Sequence, residues 1–165
     1  MSLRVEKIIS GGQTGVDRAA LDVAISLGIP CGGWCPLGRR AEDGRISQRY
    51  PLQEMASPAY ADRTVQNVAE SDGTLILTVG KIAGGTLLTK KTAQKRHKPY
   101  LVLDLDNIPD VADIWDWILE HSIRVLNVAG PRASQSPRAY GLATGLLVRL
   151  LSIPRAEKRK SRSAT

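Results

Sequence analysis

The sequence predicts one α/β domain built on a parallel, doubly wound sheet that is flanked by helices. Short apolar and β-branched runs alternate five times with stretches of helical periodicity, and no internal repeat is present. The 165 residues suit one compact domain, which buries roughly 70% of the surface that its unfolded chain exposes. We therefore expect a mostly parallel sheet of five strands, or slightly more, within residues 1–154.

The first strand and helix are predicted within residues 5–28. Residues 5–10 form an apolar, β-branched run that ends at a glycine pair, and the apolar residues after it recur at helical spacing. These residues are Val16, Ala19, Ala20, Val23, Ala24 and Leu27. Gly28 ends the helix, and a second short strand is expected near residues 30–34. Residues 35–59 lack periodicity and predict a long loop, a kind of segment that is usually functional in compact domains.

The rest of the chain continues the alternation of helix and strand. The predicted helices are residues 60–70, residues 84–98, a segment that starts at Pro109, and a final segment capped by Ser136 and Pro137. The predicted strands are residues 74–79, 100–104 and 123–128. Because apolar and β-branched residues fill positions 74–79, we expect that strand to be buried and parallel.

The positive charge of the chain is concentrated near its end. The net charge is +7, from 23 basic and 16 acidic residues. Residues 155–165 hold five basic side chains and one acidic side chain, so they contribute +4 and the other residues +3. This segment has no aromatic residue to stack on bases. We therefore expect a disordered, solvated tail, and a nucleic-acid partner is not favoured.

The sequence gives no support to a metal centre, a redox motif or a membrane span. Cys31 and Cys35 lack the C-x-x-C spacing, and His97 and His121 lie far from them, so zinc is not expected. No apolar run approaches the roughly 18 residues of a membrane span, and the first residues lack the apolar stretch of a secretory signal. We expect a cytoplasmic protein whose cysteines are reduced and structural.

The loop between the first strand and the first helix holds the first candidate site. It consists of Gly11, Gly12, Gln13, Thr14 and Gly15. Its glycines allow backbone N–H groups to approach a phosphate, and the N-terminus of the following helix adds partial positive charge. The loop is therefore predicted to bind an anion. The alternative is that the glycines serve only a tight turn and close packing of helix and strand.

Two known phosphate-binding motifs do not fit this loop. The dinucleotide motif G-x-G-x-x-G would place its first glycine at Ser10, and the second strand ends without the acidic residue that binds an adenosine ribose. A Walker A motif requires lysine and then serine or threonine after its last glycine, whereas Val16 and Asp17 follow Gly15. NAD is therefore not an expected cofactor, and a P-loop ATPase is not favoured.

Two further loops are expected at the same edge of the sheet. Gly84, Gly85 and Thr86 begin a helix after the third strand, and a strand order 2-1-3-4-5 would bring their loop opposite the first glycine loop. Two helix N-termini would then converge on one ligand. The loop after the last strand carries Arg132, which either holds an anion or is a surface charge.

The segment 33–44 is predicted to contact a flat heterocycle. It combines an aromatic ring, two guanidiniums and two carboxylates, carried by Trp34, Arg39, Arg40, Glu42 and Asp43. Such side chains can stack on a ring and hydrogen-bond to its edge. The alternative is a solvated loop with local ion pairs. Together with Asp17 the two carboxylates could ligate magnesium, but acidic residues near a helix N-terminus are ordinary capping groups, and no metal is predicted.

In these motifs the sequence resembles the molybdenum cofactor carrier protein family. The opening motif I-S-G-G-Q-T-G-V-D-R-A-A-L-D spans residues 9–22 and includes Arg18. The segments that follow in the family's order are residues 33–44, residues 50–54, Arg63 and Thr64 with Asn67, residues 71–73, residues 84–86 with Thr89, and residues 127–132. The resemblance covers nearly the whole folded chain, and the opening motif is its most specific part.

The resemblance implies a Rossmann-like fold, assembly into a homo-oligomer such as a dimer or tetramer, and binding of molybdenum cofactor. That ligand is a pterin with a phosphate and a dithiolene-held oxo-molybdenum group, and the implied role is storage or delivery. The candidate site residues are the loop residues named above together with Arg18 of the opening motif. This agrees with the anion-binding loops beside a predicted ring-binding segment.

Two alternatives from other functional classes remain open on the sequence. The first is a relative of the cytokinin-activating phosphoribohydrolases, formerly called lysine decarboxylases, which cleave nucleoside monophosphates. Their second glycine loop supplies a catalytic glutamate where this chain has Thr89, so the nearest substitutes are Glu42 and Asp43. The second alternative is a nucleotide-sensing module without catalysis. The missing glutamate makes a binding protein the preferred interpretation.

Overall fold

The computed structural model of the protein describes residues 4–152, which form five helices and nine strands. The predicted basic tail lies outside the described residues. The helices are α1 (Val16–Ser26), α2 (Tyr60–Glu70), α3 (Gly84–Lys95), α4 (Val111–Glu120) and α5 (Ala139–Ser152). The strands are β1 (Lys7–Ile9), β2 (Cys31–Gly32), β3 (Trp34–Cys35), β4 (Arg40–Ala41), β5 (Gly44–Arg45), β6 (Gln53–Glu54), β7 (Gly73–Thr78), β8 (Tyr100–Asp104) and β9 (Val125–Ala129). No helix within residues 4–152 is long and apolar enough to cross a membrane.

The central sheet confirms the predicted α/β class. It has five strands in the order β2-β1-β9-β7-β8, and all neighbouring strands are parallel. All six residues of β7 are buried, as expected for a strand covered on both faces. The result is a single Rossmann-like sheet flanked by helices.

The predicted strand order 2-1-3-4-5 is wrong, because the last strand lies in the middle of the sheet. β9 pairs with β1 on one side and with β7 on the other. Its three central residues are buried, whereas β8 is less buried and forms the edge. If the strands are counted from β9, the order becomes 3-2-1-4-5, which is the usual order of doubly wound sheets. The chain therefore follows that fold from a different starting point.

The helices pack on the sheet in two groups. α1 packs on α5, and α4 also contacts α5. The buried face of α1 contains the predicted stripe, and it joins apolar residues of the sheet, α4 and α5 in the main core. α2 and α3 pack on each other and against β3 and β7. They contribute no residue to the main core among the described residues, because they cover the other side of the sheet.

The segment predicted to be an irregular loop at residues 35–59 has structure of its own. β3 and β6 form a parallel pair, and β4 and β5 form an antiparallel pair. Between them lies a second, small core of buried residues: Leu21, Cys35, Ala41, Ile46, Tyr50 and Leu52. Two-residue strands and scattered apolar positions produce no periodic pattern, which explains why the sequence did not indicate them.

Several predicted boundaries shift by a few residues. α3 ends at Lys95 and not near residue 98, and β9 covers positions 125–129 and not 123–128. α5 begins at Ala139, so Ser136 and Pro137 lie in the turn before it. The backbone N–H of Ala139 donates to the carbonyl oxygen of Ser136 at 3.1 Å, which closes that turn. Local cap signals locate a helix start only to within a few residues.

Candidate functional site

A cavity of about 140 Å³ lies at the carboxyl ends of the central strands. Its walls come from the β1–α1 loop, from α2, from the beginning of α3, and from the end of β9 with the loop that follows. A neighbouring recess of about 220 Å³ shares Thr86 and Gln135 with the cavity and borders the ends of β7 and β9. In a doubly wound sheet this edge is where ligands bind. Both predicted glycine loops reach the cavity even though β9 separates their strands.

The β1–α1 loop contributes Gly11 and Gln13 to the cavity wall. Gly15 instead allows two loops to meet, because its φ is +81° and a Cβ there would collide with the carbonyl oxygen of Pro131. The Thr14 hydroxyl accepts a hydrogen bond from the N–H of Ala133 at 3.1 Å. The first and third candidate loops are therefore joined directly.

Gly12 faces away from the cavity. Its φ is +76°, and a Cβ there would lie 2.5 Å from Leu52 Cδ1 and 3.0 Å from Ile46 Cδ1 in the small core. Its carbonyl oxygen accepts hydrogen bonds from Arg18 Nε at 3.2 Å and Arg18 Nη2 at 3.0 Å. Gly12 and Arg18 therefore stabilise the loop on the side opposite the cavity, and neither residue lines the cavity.

The beginning of α3 faces the cavity without a side-chain cap. Gly85, Thr86 and Thr89 line the wall, and Gly84 has a φ of +54° beside Gln135. Within residues 4–152, no side chain caps the first N–H groups of α3. Unpaired N–H groups at a helix N-terminus attract anions. The second glycine loop thus offers backbone donors to a ligand.

A buried ion pair lies on the opposite wall. Arg63 of α2 donates from Nη1 to the carbonyl oxygen of Gly11 at 2.5 Å, and its guanidinium lies 5.5 Å from the Tyr60 ring centroid. The same Nη1 is 4.0 Å from Oδ2 of Asp17. Burial raises the pKa of Asp17 to about 6, and the positive charge of Arg63 only partly offsets that effect.

Glu42 connects the first and third loops and does not line the cavity. Its carboxylate accepts hydrogen bonds from the Thr14 hydroxyl, from the Ser134 hydroxyl and, at 3.0 Å, from the Ser134 N–H. These hydrogen bonds, those of Ser134 first, lower the pKa of Glu42. Arg132 lies 3.8 Å from the same carboxylate through its Nε and also lines the cavity.

Asp43 is likewise engaged outside the cavity. Its carboxylate accepts hydrogen bonds from Arg18 at 3.0 and 3.2 Å, and the Arg18 guanidinium lowers the pKa of Asp43. Among residues 4–152 no cluster of three histidine, cysteine or acidic side chains is arranged to hold a metal ion. Glu42 and Asp43 therefore stabilise the segment 33–44 against the neighbouring loops and α1.

The aromatic and basic side chains of the segment 33–44 have three different surroundings. Trp34 donates its indole N–H to Glu70 at 2.6 Å and does not line the cavity. Arg39 is 4% exposed, and its guanidinium donates to the carbonyl oxygens of Ile46, Ser47, Tyr50 and Leu52. Arg40 is exposed and stacks 5.0 Å from the ring centroid of Tyr60, which is the aromatic residue of the cavity wall.

The structure thus brings together five of the predicted site residues: Gly11, Gln13, Gly85, Thr86 and Arg132. The other predicted residues support the loops or lie elsewhere. Several wall residues were absent from the predicted set, among them Asp17 as a ligand-facing group, Tyr60, Arg63 and Asn127. Asn67 is another, and its amide also bonds both backbone groups of Trp34. The spacing of Arg63 and Asn67, four residues apart on one helix face, is the signal that indicates them.

The comparisons with known proteins agree with this fold. Residues 8–151 match the family described as the circularly permutated YpsA SLOG family. The chain is 48% identical to a protein from Syntrophus aciditrophicus SB whose crystal structure carries the name "Putative molybdenum carrier protein". The TM-score is 0.86, and the match covers 92% of this chain and 98% of the other. A search of curated proteins gives no significant match.

The central position of β9 explains why the family is described as circularly permutated. Counting the strands from β9 restores the usual order of a doubly wound sheet, which is what a circular permutation of the chain would produce. The family match covers residues 8–151, which include all of this sheet except Lys7. On the extent of that match, the chain belongs to the circularly permutated YpsA SLOG family.

Proposed function

We propose that the protein binds molybdenum cofactor, or a closely similar phosphorylated pterin, and stores or delivers it without converting it. The observation that carries this proposal is one cavity where Arg63, Arg132 and the uncapped N-terminus of α3 converge. The name of the Syntrophus protein, a molybdenum carrier, supports the same assignment for this chain. Homo-oligomeric assembly remains part of the proposal.

The side chains on the cavity wall favour an anionic group in the ligand. Arg63 and Arg132 supply guanidinium N–H donors, and Thr86 supplies a hydroxyl group. Phosphate oxygens accept hydrogen bonds from all of these groups. The recess beside Thr86 and Gln135 gives room for the rest of a ligand, because the cavity itself is smaller than the roughly 300 Å³ of typical ligand pockets.

The ring of the ligand would meet Tyr60 and not Trp34. Tyr60 lines the cavity, and the Arg40 guanidinium covers its ring at 5.0 Å. Asn67 and Asn127 add amide groups that could bond to the edge of a heterocycle. The ring-binding role that the sequence suggested for the segment 33–44 is therefore proposed for α2.

The test is equilibrium binding of isolated molybdenum cofactor to the purified chain. Bound molybdenum and pterin fluorescence are measured after rapid removal of free ligand. We expect the substitutions Arg63→Gln and Arg132→Ala each to weaken binding about tenfold or more, since a hydrogen bond to a charged group contributes roughly 1.5–3 kcal/mol. Arg124→Ala is the matched control, because that exposed arginine precedes β9 at the opposite edge of the sheet.

Two results would contradict the proposal. The first is a wild-type protein that retains neither molybdenum nor pterin. The second is an equal affinity in the two cavity variants and the control variant.

A hydrolase is the second candidate, and the position of Asp17 favours it. Glu42 and Asp43, the carboxylates predicted for that role, are bound to other residues outside the cavity. Asp17 is a carboxylate on the cavity wall, and a pKa of about 6 suits a general base near neutral pH. Thr89, which stands where the phosphoribohydrolases have their catalytic glutamate, donates its hydroxyl to the carbonyl oxygen of Gly85 at 2.9 Å.

The two candidates are separated by a product assay. Each nucleoside monophosphate is incubated with the protein for a long period and analysed by liquid chromatography. Release of free base that is lost in Asp17→Asn would establish the hydrolase. Intact nucleotides beside tight binding of molybdenum cofactor are the result expected for a carrier.

A further inference from the structure

The cavity holds an acidic and a basic side chain that are both nine-tenths buried yet poorly satisfied. The side chain of Asp17 is 10% exposed and that of Arg63 is 8% exposed. Their nearest charged atoms are 4.0 Å apart, which is too long for a hydrogen bond. The carboxylate accepts a long hydrogen bond from the N–H of Gln13 at 3.3 Å, and the Ser10 hydroxyl, which donates to the Asp17 carbonyl oxygen at 3.1 Å, also lowers the pKa of Asp17.

Arg63 keeps donors available for a ligand. A guanidinium carries five N–H groups, and Arg63 uses one of them on the carbonyl oxygen of Gly11. Among residues 4–152 this guanidinium makes no second hydrogen bond, and Asp17 Oδ2 lies 4.0 Å away. Because the side chain lines the cavity, a tetrahedral oxyanion can take two of the remaining donors.

An oxyanion bound to Arg63 would lie close to the Asp17 carboxylate. Two neighbouring negative groups repel each other, and one proton placed between them removes the repulsion and forms a hydrogen bond. We propose that Asp17 makes this subsite selective for oxyanions that carry a proton, such as hydrogen phosphate, against fully ionised sulfate. This inference rests on the anion site of the proposed function and assigns the phosphate end of the ligand to Arg63.

The charged and titratable groups around Asp17 determine whether its carboxyl group carries a proton. Burial raises the pKa of Asp17 to about 6, against the opposing charges of Arg63 on α2 and Arg18 on α1. Arg132 and Tyr60 face the same cavity, and the α3 residues that line it, Gly85, Thr86, Leu88 and Thr89, carry no titratable side chain. At pH 8 the free carboxylate is ionised. Hydrogen phosphate then keeps its proton and donates a hydrogen bond through it to the Asp17 carboxylate, whereas sulfate binds only if Asp17 takes up a proton from the solvent.

Sulfate and orthophosphate form a matched pair of probes, because at pH 8 they have the same shape and charge and differ by one proton. The full chain is titrated with each anion by calorimetry between pH 5.5 and pH 8, in two buffers of different ionisation enthalpy. For the wild type we expect sulfate affinity to fall about tenfold per pH unit above the pKa of Asp17, with uptake of about one proton per sulfate. Orthophosphate affinity should change little and exceed sulfate affinity at least tenfold at pH 8.

The variant Asp17→Asn should bind sulfate with an affinity that does not depend on pH, and it should lose the preference for phosphate. Asp116→Asn, an exposed position on α4 with the same change of charge, should behave like the wild type. The wild-type titrations test the proposal even if the Asp17 variant does not fold.

Three outcomes would overturn the inference. The wild type could bind both anions equally at pH 8, its sulfate affinity could be independent of pH, or Asp17→Asn could keep the phosphate preference. In each case the anion site of the proposed function would stand. If the wild type bound neither anion at any pH, that anion site would itself be refuted, and the inference with it.

Discussion

The segment 35–59 and the cavity wall use the same kinds of side chain for different purposes. In the segment, Arg39 donates four hydrogen bonds to backbone carbonyl oxygens and Asp43 is paired with Arg18. On the cavity wall, Arg63 donates one hydrogen bond and Asp17 accepts one long one from an N–H group. Because both side chains line the cavity, their remaining hydrogen-bonding capacity is available to a ligand there. The difference between the two regions is the completeness of hydrogen bonding, and not the residue types.

The largest expected effect comes from Arg39→Ala, which tests the structural side of this comparison. The substitution leaves four carbonyl oxygens in or near the small core without their donor, so we expect a loss of about 4 kcal/mol or more of unfolding free energy. Denaturant unfolding measures it. A variant of normal stability that has lost anion binding would instead place Arg39 in the ligand site.

The next effect comes from Asp17→Asn and concerns the cavity side. The folded-state pKa of about 6 lies above the unfolded value of 3.8, so the folded protein binds more protons. The wild type therefore loses stability as the pH rises from about 4 to about 6, by roughly 3 kcal/mol. The asparagine variant avoids this loss and should be more stable at pH 8, with the difference vanishing below pH 4. A melting-temperature difference that does not change with pH would contradict this explanation, and Asp116→Asn controls for net charge.

The smallest effects separate the two sides of the glycine loops. Gly12→Ala should cost about 2 kcal/mol, because it strains a positive φ and meets Leu52. Gly28→Ala has a similar φ of +68° with open space around it, so it isolates the cost of the backbone strain.

Gly85→Ala meets no neighbouring atom within 4 Å and should leave the melting temperature nearly unchanged while weakening anion-induced stabilisation. Equal effects of Gly12→Ala and Gly85→Ala on anion binding would contradict the division between support and cavity.

Most of the fold could be predicted because its signals are local. The predicted helix at residues 60–70 and the strand at residues 100–104 coincide with α2 and β8, since each carries a clear periodic or apolar pattern with turn residues at its ends. The place of β9 could not be predicted in this way. Strand order depends on pairing between residues far apart in sequence, and the apolar pattern of β9 suits any central position.

The candidate site was predicted in part, for the same reason. Gly11, Gln13, Gly85 and Thr86 lie in glycine loops at strand ends, and that position in the sequence is enough to bring them to the binding edge. Arg39 and Arg63 cannot be ranked from the sequence, because an arginine gives no local sign of whether other groups will satisfy its donors. Arg39 is surrounded by the carbonyl groups of its own segment, while Arg63 reaches across to Gly11.

By itself, the sequence determined the α/β class, the positions of the main helices and strands, and the glycine loops that reach one edge of the sheet. These depend on spacing and backbone freedom within a few residues. Only the tertiary structure decided that β9 lies between β1 and β7, that Trp34 and Arg39 stabilise a small core, and that Asp17 and Arg63 share a cavity wall. Burial, pairing and the pKa of a carboxyl group depend on neighbours that the chain brings together only when it folds.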